Sequence, residues 1–468
     1  MDYPGSYTED RELYFNGTVS VTERVKYFIQ RVDRKQHLNA FVKVYEEEAL
    51  ERAELIDNKI RNRTAGRLAG MVVALKDNIA WKDHSLSAAS NILEGYFPTY
   101  NATVVERLLA EDAIILGHLN CDEFAMGSAN ELSRWGRVQN PHDHSRTTGG
   151  SSGGPAAAVA AGLCHATLGS DTGGSVRQPA AFCGVWGMKP TYGSVSRYGL
   201  VTYASTLDQI GPLTSSPKDM LRIMEGISGP DGKDHTLVNH SPLDEAINAI
   251  GYFEETLAYQ ELDPEIKNFF FSLLDGLAKR GVEIKPLASR YSNYLLPLYN
   301  VITTAEAATN LERYDGIRYG NTKEGENWQQ SVKATRTAGF GPEIKRKIMM
   351  GNTVLLLNEK HGFYDQATRI RTSLKRETDK IFSNVQAILS PTAPTIAHKA
   401  YEKQEVIERY LADIYTFHAN LTGIPALNIP VWKHSSGMPF GMQIAGKPFS
   451  DRKLLQFAEN VTSVFEKV

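Results

Sequence analysis

Cysteine is scarce in this 468-residue chain, with Cys121, Cys164 and Cys183 its only three. An odd number without a CxxC pair excludes a disulfide framework and a structural zinc site, and fits a reducing, cytoplasmic setting. Three buried thiols are expected. Long apolar runs are missing too. No stretch reaches the roughly 18 residues that span a bilayer, so no membrane attachment is expected. The first residues, MDYPGSYTEDRELYF, show neither the basic nor the apolar region of a secretory signal. Charge of one sign is not in excess: the net charge is −3. The broad basic surface that marks most nucleic-acid binders is therefore not expected. Repeats and low-complexity tracts are absent.

What is present is an ordinary globular composition, 42% hydrophobic and 22% charged, with 38 glycines, and hence the material for a full core. Ser20 and Glu23 form a capping-box pattern, followed at helical spacing by Val21, Val25, Phe28, Ile29 and Val32. Strands are expected at Leu38–Val44, Met71–Leu75, Ala113–Leu116, Val282–Pro286, Val385–Leu389, Ile424–Val431 and Phe440–Ile444. Helices are expected at Glu46–Ile60, Thr103–Ala110, Pro217–Gly226, Pro264–Lys279 (Phe269–Phe271 and Leu273–Leu274 facing the core), Glu343–Thr378 and Asp451–Lys467. On the last, Leu454, Ala458, Val461 and Phe465 share a face. Asn120–Gly136 reads as a polar loop and Gly184–Leu213 as long ordered loops over a site. Gly229–His235 is turn chemistry where a subdomain boundary could fall. Alternating strands and helices give an α/β class, with helices on both faces of a central sheet.

Chemistry concentrates in Gly149–Cys183, where Gly149–Gly154 (GGSSGG) and Gly173-Gly174-Ser175 bracket an alanine-rich segment that Pro155 can open as a helix. Flexible linkers carry no buried face, so a linker is disfavoured. Serines between glycines lie close to backbone N–H groups, as a nucleophile beside an oxyanion site must. Gly149-x-Ser151-x-Gly153 matches the nucleophile elbow of α/β-hydrolases, but a buried strand must precede that elbow. The residues here, Asn140–Arg146, are polar and turn-prone. A phosphate loop fails for want of a closing Gly-Lys-Ser/Thr. His142 and His144 are too weak a pair to argue a metal. Lys76 ends an apolar strand; it either snorkels to solvent or pairs with Asp77, or is desolvated into a general base, the partner an unaided serine needs.

Three segments together, Val73–Asn78, Gly149–Gly154 and Asp171–Ala180, with serines 75 and 99 residues after Lys76, resemble the amidase signature family. That resemblance implies a large mixed central β-sheet covered by helices on both faces. It implies one amidase domain over 1–468: an N-terminal helical part (about 1–65), a triad-bearing core (about 66–215) and a remainder completing sheet and pocket. It implies Ser175 as nucleophile, Ser151 as proton relay with its peptide bond cis, Lys76 as terminal base, and an oxyanion hole from Thr172, Gly173 and Gly174. Within the family the chain is most similar to the A subunits of glutamyl/aspartyl-tRNA amidotransferases. The marks are Asn120–Ser128, Lys189–Gly193, Val195–Leu200, Asp208–Pro212, Asn310–Leu311, Tyr314–Gly320, Glu343–Gly351 and Asp413–Pro425. It departs from their usual pattern at Arg146-Thr147-Thr148, Pro155 and Ser194.

That likeness implies hydrolysis of glutamine to glutamate and ammonia. The ammonia serves a partner subunit that amidates misacylated tRNA with ATP and magnesium, leaving this chain without a cofactor or metal. The implied partners are the B and C subunits in a heterotrimer, with tRNA reached only through them. Asp413 is implied at the substrate's ammonium and Arg346 at its carboxylate, with Lys347 the neighbouring register, since arginine's fork suits a carboxylate. Tyr299, Met126 and Gln178 are further implied contacts. The alternatives are a stand-alone amidase for another carboxamide and a non-enzymatic interaction protein.

Overall fold

A computed structural model describes residues 5–357, 362–402 and 411–464. One mixed sheet of eleven strands runs through it in the order β1-β3-β2-β4-β6-β5-β10-β11-β9-β7-β8. The strands are β1 (Phe41–Val44), β2 (Val72–Lys76), β3 (Ile114–Leu119), β4 (Ala166–Asp171), β5 (Trp186–Lys189) and β6 (Gln209–Thr214). They continue with β7 (Ala249–Phe253), β8 (Glu283–Leu287), β9 (Ala387–Pro391), β10 (Ala426–Lys433) and β11 (Pro439–Gly446). β2 is parallel to β3 and β4, and β7 to β8 and β9; the remaining pairings are antiparallel. The pairing that positions the site is β2 on β4, with Val73 opposite Ala166 and Leu75 opposite Leu168. It brings the ends of both strands, Lys76 and Asp171, to one edge, where parallel sheets place ligand sites.

The helices begin with α1 (Tyr7–Phe15), α2 (Val21–Arg34), α3 (Glu46–Arg61), α4 (Thr103–Ala110), α5 (Gly153–Ala160), α6 (Arg177–Cys183) and α7 (Pro217–Ile227). They continue with α8 (Pro264–Lys279), α9 (Leu295–Asn310), α10 (Trp328–Gly339), α11 (Pro342–Leu356), α12 (Phe363–Ile381), α13 (Phe417–Thr422) and α14 (Asp451–Thr462). The capping box forms as its sequence requires: Glu23 N–H donates to Ser20 Oγ at 3.1 Å and Ser20 N–H to Glu23 Oε2 at 2.8 Å. The five apolar residues expected on one face of α2 are all buried. Pro155 sits in the first turn of α5, where its missing N–H costs no helical bond.

Some expectations need correcting. Gly184–Leu213 is not all loop, because it holds β5 and most of β6. Both strands are buried on both faces, so no polar alternation marked them, and their Gly, Pro, Lys and Gln broke the apolar run that marks a buried strand. Leu38 lies in a 3-10 turn before β1 rather than in the strand. The three phenylalanines of α8 do not share a face: Phe270 is buried while Phe271 is 41% exposed, as the 100° step between helical neighbours dictates. The charged run Glu343–Thr378 is two helices, α11 and α12. Leu454, Ala458 and Val461 are buried on α14; Phe465 and Lys467 lie outside the described residues. All three cysteines are free and buried, and burial pushes their thiols up, away from thiolate chemistry.

Candidate active site

Lys76 is wholly buried at the end of β2 and meets three hydroxyl oxygens: Ser151 at 2.7 Å, Ser170 at 2.9 Å and Ser152 at 3.0 Å. Desolvation pulls its pKa down to about 8, against the opposing pull of Cys121, Asp122, Asp171 and Asp208. As an ammonium it donates to all three oxygens; as an amine it has a lone pair free to take a proton from one. Snorkelling is therefore excluded, and the Lys76 nitrogen bonds these three serines rather than Asp77. Ser170 and Ser152 were not singled out from sequence. Ser170 owes its place to β4 being the parallel neighbour of β2, and it also accepts from Asn78 Nδ2 at 3.0 Å.

The loop before α5 delivers Ser151. Its Gly150–Ser151 peptide bond is cis. A Cβ on Gly150 would lie 2.2 Å from Asp122 Oδ2, so that position has room only for glycine. Asp122 is the buried post behind this loop: it accepts from the N–H groups of Asn130 (2.9 Å) and Leu132 (3.0 Å), and its own N–H donates to Ser151 O at 3.2 Å. Gln178, expected to touch substrate, is fully buried and does not line the cavity beside Ser175. Its Oε1 accepts from Gly150 N–H and its Nε2 donates to Ser128 O, both at 3.0 Å. Gln178 thus braces two walls of the site.

Ser175 stands in a turn built on a buried ion pair. Asp171 accepts from Arg177 Nε (3.0 Å) and Nη2 (2.9 Å), from Asn420 Nδ2 (2.8 Å), and from the N–H groups of Gly174 (2.9 Å) and Val176 (3.2 Å). Burial opposes ionisation of Asp171, yet the Arg177 charge and these donors hold its carboxyl well below the usual range. The Gly174 N–H is thereby committed to Asp171, which corrects its place in the expected oxyanion hole. Among the described residues the Thr172, Gly173 and Ser175 N–H groups have no protein acceptor, so they are the donors the turn leaves for a developing oxyanion. Thr172 is fixed through its hydroxyl, which donates to Asp208 at 2.6 Å. Breaking this pair leaves a buried charge alone. Arg177→Met is expected to lower unfolding free energy by about 3–5 kcal/mol in denaturant titrations; a loss under about 1 kcal/mol would show the pair to be dispensable.

A cavity of about 260 Å³ opens in front of Ser175 and is lined by Gly173, Met126, Ser128, Tyr203, Tyr299, Arg346, Lys347 and Asp413 among others. Tyr299 stacks on Phe417 at 4.3 Å between ring centres and packs on Gly173, where a Cβ would meet its ring at 2.6 Å. Asp413 is buried. Its Oδ2 accepts from Ser128 Oγ at 2.6 Å, and its Oδ1 has no partner among the described residues. Desolvation pushes its pKa up to about 7, the Ser128 bond opposing. To the same cavity α11 presents two cations. Arg346 pairs with Glu343 through Nε (2.8 Å) and Nη2 (2.6 Å), and the more buried Lys347 donates to Tyr203 Oη at 2.9 Å.

The amidase family profile matches residues 23–455. The chain belongs to the amidase family. It is similar over its length to the A subunits of bacterial glutamyl-tRNA(Gln) amidotransferases. The one from Caldanaerobacter subterraneus subsp. tengcongensis is 43% identical over 470 residues, covering 98% of this chain and 95% of the relative. The one from Wolinella succinogenes is 45% identical, covering 83% and 88%. Among solved structures, the corresponding protein of Thermotoga maritima superposes with a TM-score of 0.79 at 35% identity, over 97% of this chain and 93% of that one. A structure described as an amidase gives 0.83 at 28% identity, over 97% and 98%.

In this amidase-family chain the structure gathers Lys76 and Ser151 into one hydrogen-bonded group, and Ser175, Met126, Tyr299, Arg346 and Asp413 around one cavity. Arg346 and Lys347 both line it. Among the described residues no group of three His, Cys, Asp or Glu side chains could hold a metal, and no helix is long and apolar enough to cross a membrane. His142 is used otherwise, its Nε2 bonding Cys183 O at 2.9 Å.

Proposed function

We propose that this chain is the glutaminase subunit of a tRNA-dependent amidotransferase, releasing ammonia from glutamine with Ser175, Ser151 and Lys76. The observation that carries this reading is the unpartnered Asp413 Oδ1, in the same cavity as Arg346, Lys347 and Ser175. A buried carboxylate oxygen without a donor is costly unless a ligand cation satisfies it. A free amino acid brings an ammonium for Asp413 and a carboxylate for α11, placing its side-chain amide at Ser175.

In the reaction, Ser175 Oγ attacks the amide carbon and gives up its proton through Ser151 to neutral Lys76. The Thr172, Gly173 and Ser175 N–H groups stabilise the oxyanion. The C–N bond breaks, the proton returns through Ser151 to the nitrogen, and ammonia leaves a glutamyl ester on Ser175. Water, deprotonated along the same route, releases glutamate and regenerates the serine. This chain needs no cofactor or metal for these steps. ATP and magnesium belong to a B subunit, which with a C subunit completes a cytoplasmic heterotrimer and amidates Glu-tRNA(Gln), Asp-tRNA(Asn) or both.

Asp413→Ala tests the pocket. It is expected to lower kcat/KM for glutamine about 10–100-fold, the worth of a hydrogen bond to a charged group, while the assembled complex uses free ammonia unchanged. Because the Asp413 carboxylate must be ionised to hold the ammonium, wild-type KM is expected to rise as pH falls below about 7. Equal losses with glutamine and ammonia overturn the assignment. Co-purification without partners, together with a preference for another carboxamide, would make the chain a stand-alone amidase.

A further inference from the structure

Glu123 takes no part in the chemistry above and does not line the cavity, yet it is 7% exposed and fully engaged. Both its carboxylate oxygens lie 3.1 Å from the N–H of Gly341, the residue that caps α11, and its Oε1 accepts from Ser90 Oγ at 2.5 Å. No side chain from its own cap residue serves the start of α11, and its first residue is Pro342, which has no N–H to offer. A carboxylate from a distant loop thus supplies the negative charge that a helix N-terminus favours. The fit is tight, because a Cβ on Gly341 would lie 2.2 Å from Glu123 Oε2.

The loop that presents Glu123 is held on its other side as well. Phe124 and Ala125 both have left-handed backbones, at φ 50° and 59°, as do Ala88 and Ala89, at 48° and 53°. Such conformations are unfavourable for non-glycine residues and persist where surroundings enforce them. Here Phe124 N–H donates to Ala88 O at 2.9 Å, and Asp77, next to Lys76, fixes Ser87 and Ala89 through their N–H groups. The Phe124 ring lies against Phe340 and Tyr314. One short turn therefore carries Met126 and Ser128 into the cavity lining and, through Glu123, grips the start of α11, from which Arg346 and Lys347 line the same cavity within two helical turns.

We propose that Glu123 is a positioning residue for carboxylate recognition. By clamping Gly341 it sets where along its axis α11 offers Arg346 and Lys347, and so acts on glutamine binding rather than on attack by Ser175. This inference rests on the glutamine reading of the cavity. The test compares full-length wild type with Glu123→Ala, Glu123→Gln and Gly341→Ala on glutamine and on butyramide, a neutral primary amide without amino or carboxylate groups. Glu123→Ala is expected to raise KM for glutamine about 10–100-fold, the scale of an ångström-sized misplacement, with kcat and butyramide turnover changed less than threefold. Glu123→Gln keeps an oxygen acceptor for Gly341 and is expected to recover most of the loss. Gly341→Ala, which drives the same carboxylate aside without removing it, is expected to mimic Glu123→Ala and stands in for it if that variant does not fold. Parallel losses on both amides, or no rescue by glutamine at 123, overturn the role of Glu123. A wild type without preference for glutamine over butyramide instead overturns the reading of the cavity, and this inference with it.

Discussion

Ser175→Ala is expected to lower ammonia release from glutamine by at least ~10⁴-fold, the scale reached when the nucleophile of a catalytic triad is removed. Neither of the two serines bonded to Lys76 nearby is placed to replace it. Ser151 and Ser152 are both hydrogen-bonded to Lys76 on the inner side of the site and are absent from the cavity lining. The fold should tolerate the change, because the contact made by residue 175 to its surroundings is through the backbone: its carbonyl accepts from Ser152 N–H at 3.1 Å. The measurement pairs ammonia release with thermal melting and with amidation supported by added ammonia. Glutamine hydrolysis should vanish while melting and ammonia use remain. Appreciable glutaminase activity in a folded Ser175→Ala protein would sink the nucleophile assignment.

Lys76→Ala carries the second large effect, an expected loss in kcat of about 10²–10⁴-fold, the usual contribution of a positioned general base. Its sign with pH follows from burial. The ammonium cannot accept a proton, so wild-type turnover should climb as pH rises and level off above about 8, where Lys76 is neutral. In Lys76→Ala that limb should disappear, and the residual rate should be flat across it. A profile with the same inflection in both proteins would assign the titration elsewhere. Asp413 titrates about a unit lower and acts on binding, so measuring kcat separately from kcat/KM resolves the two.

Legibility in the sequence followed the physics of each element. Elements with one wet face could be read closely: α2, α4, α7 and α8 begin where a cap residue or apolar period begins. β5 (WGMK) and β6 (QIGPLT) were illegible because they show neither polar alternation nor the unbroken apolar run that marked β2. Ser151, Ser175 and Lys76 were marked by residue type, glycine context and family likeness. Their supporting groups were not. Ser170 looks like any strand serine until β2 pairs with β4, and Gln178 resembled a substrate contact until both ends of its amide proved to be engaged. The commitment of the Gly174 N–H to Asp171 depends on how a six-residue turn folds back on itself, which no motif spells out. Glu123 and Gly341 lie 218 residues apart, and only the packing of α11 joins them.

The turn that presents Ser175 has a consequence for the protein during its own synthesis. Every reacting side chain is already present once residue 175 has been made. Yet Arg177, which holds that turn through Asp171, is itself held by the Thr416 carbonyl, Asn420 and Gln443. The strand β11 bearing Gln443 reaches the neighbourhood of β4 only through β10, β5 and β6. A nascent chain therefore carries these groups long before the support that orders their turn, which is in place only once β11 has been made.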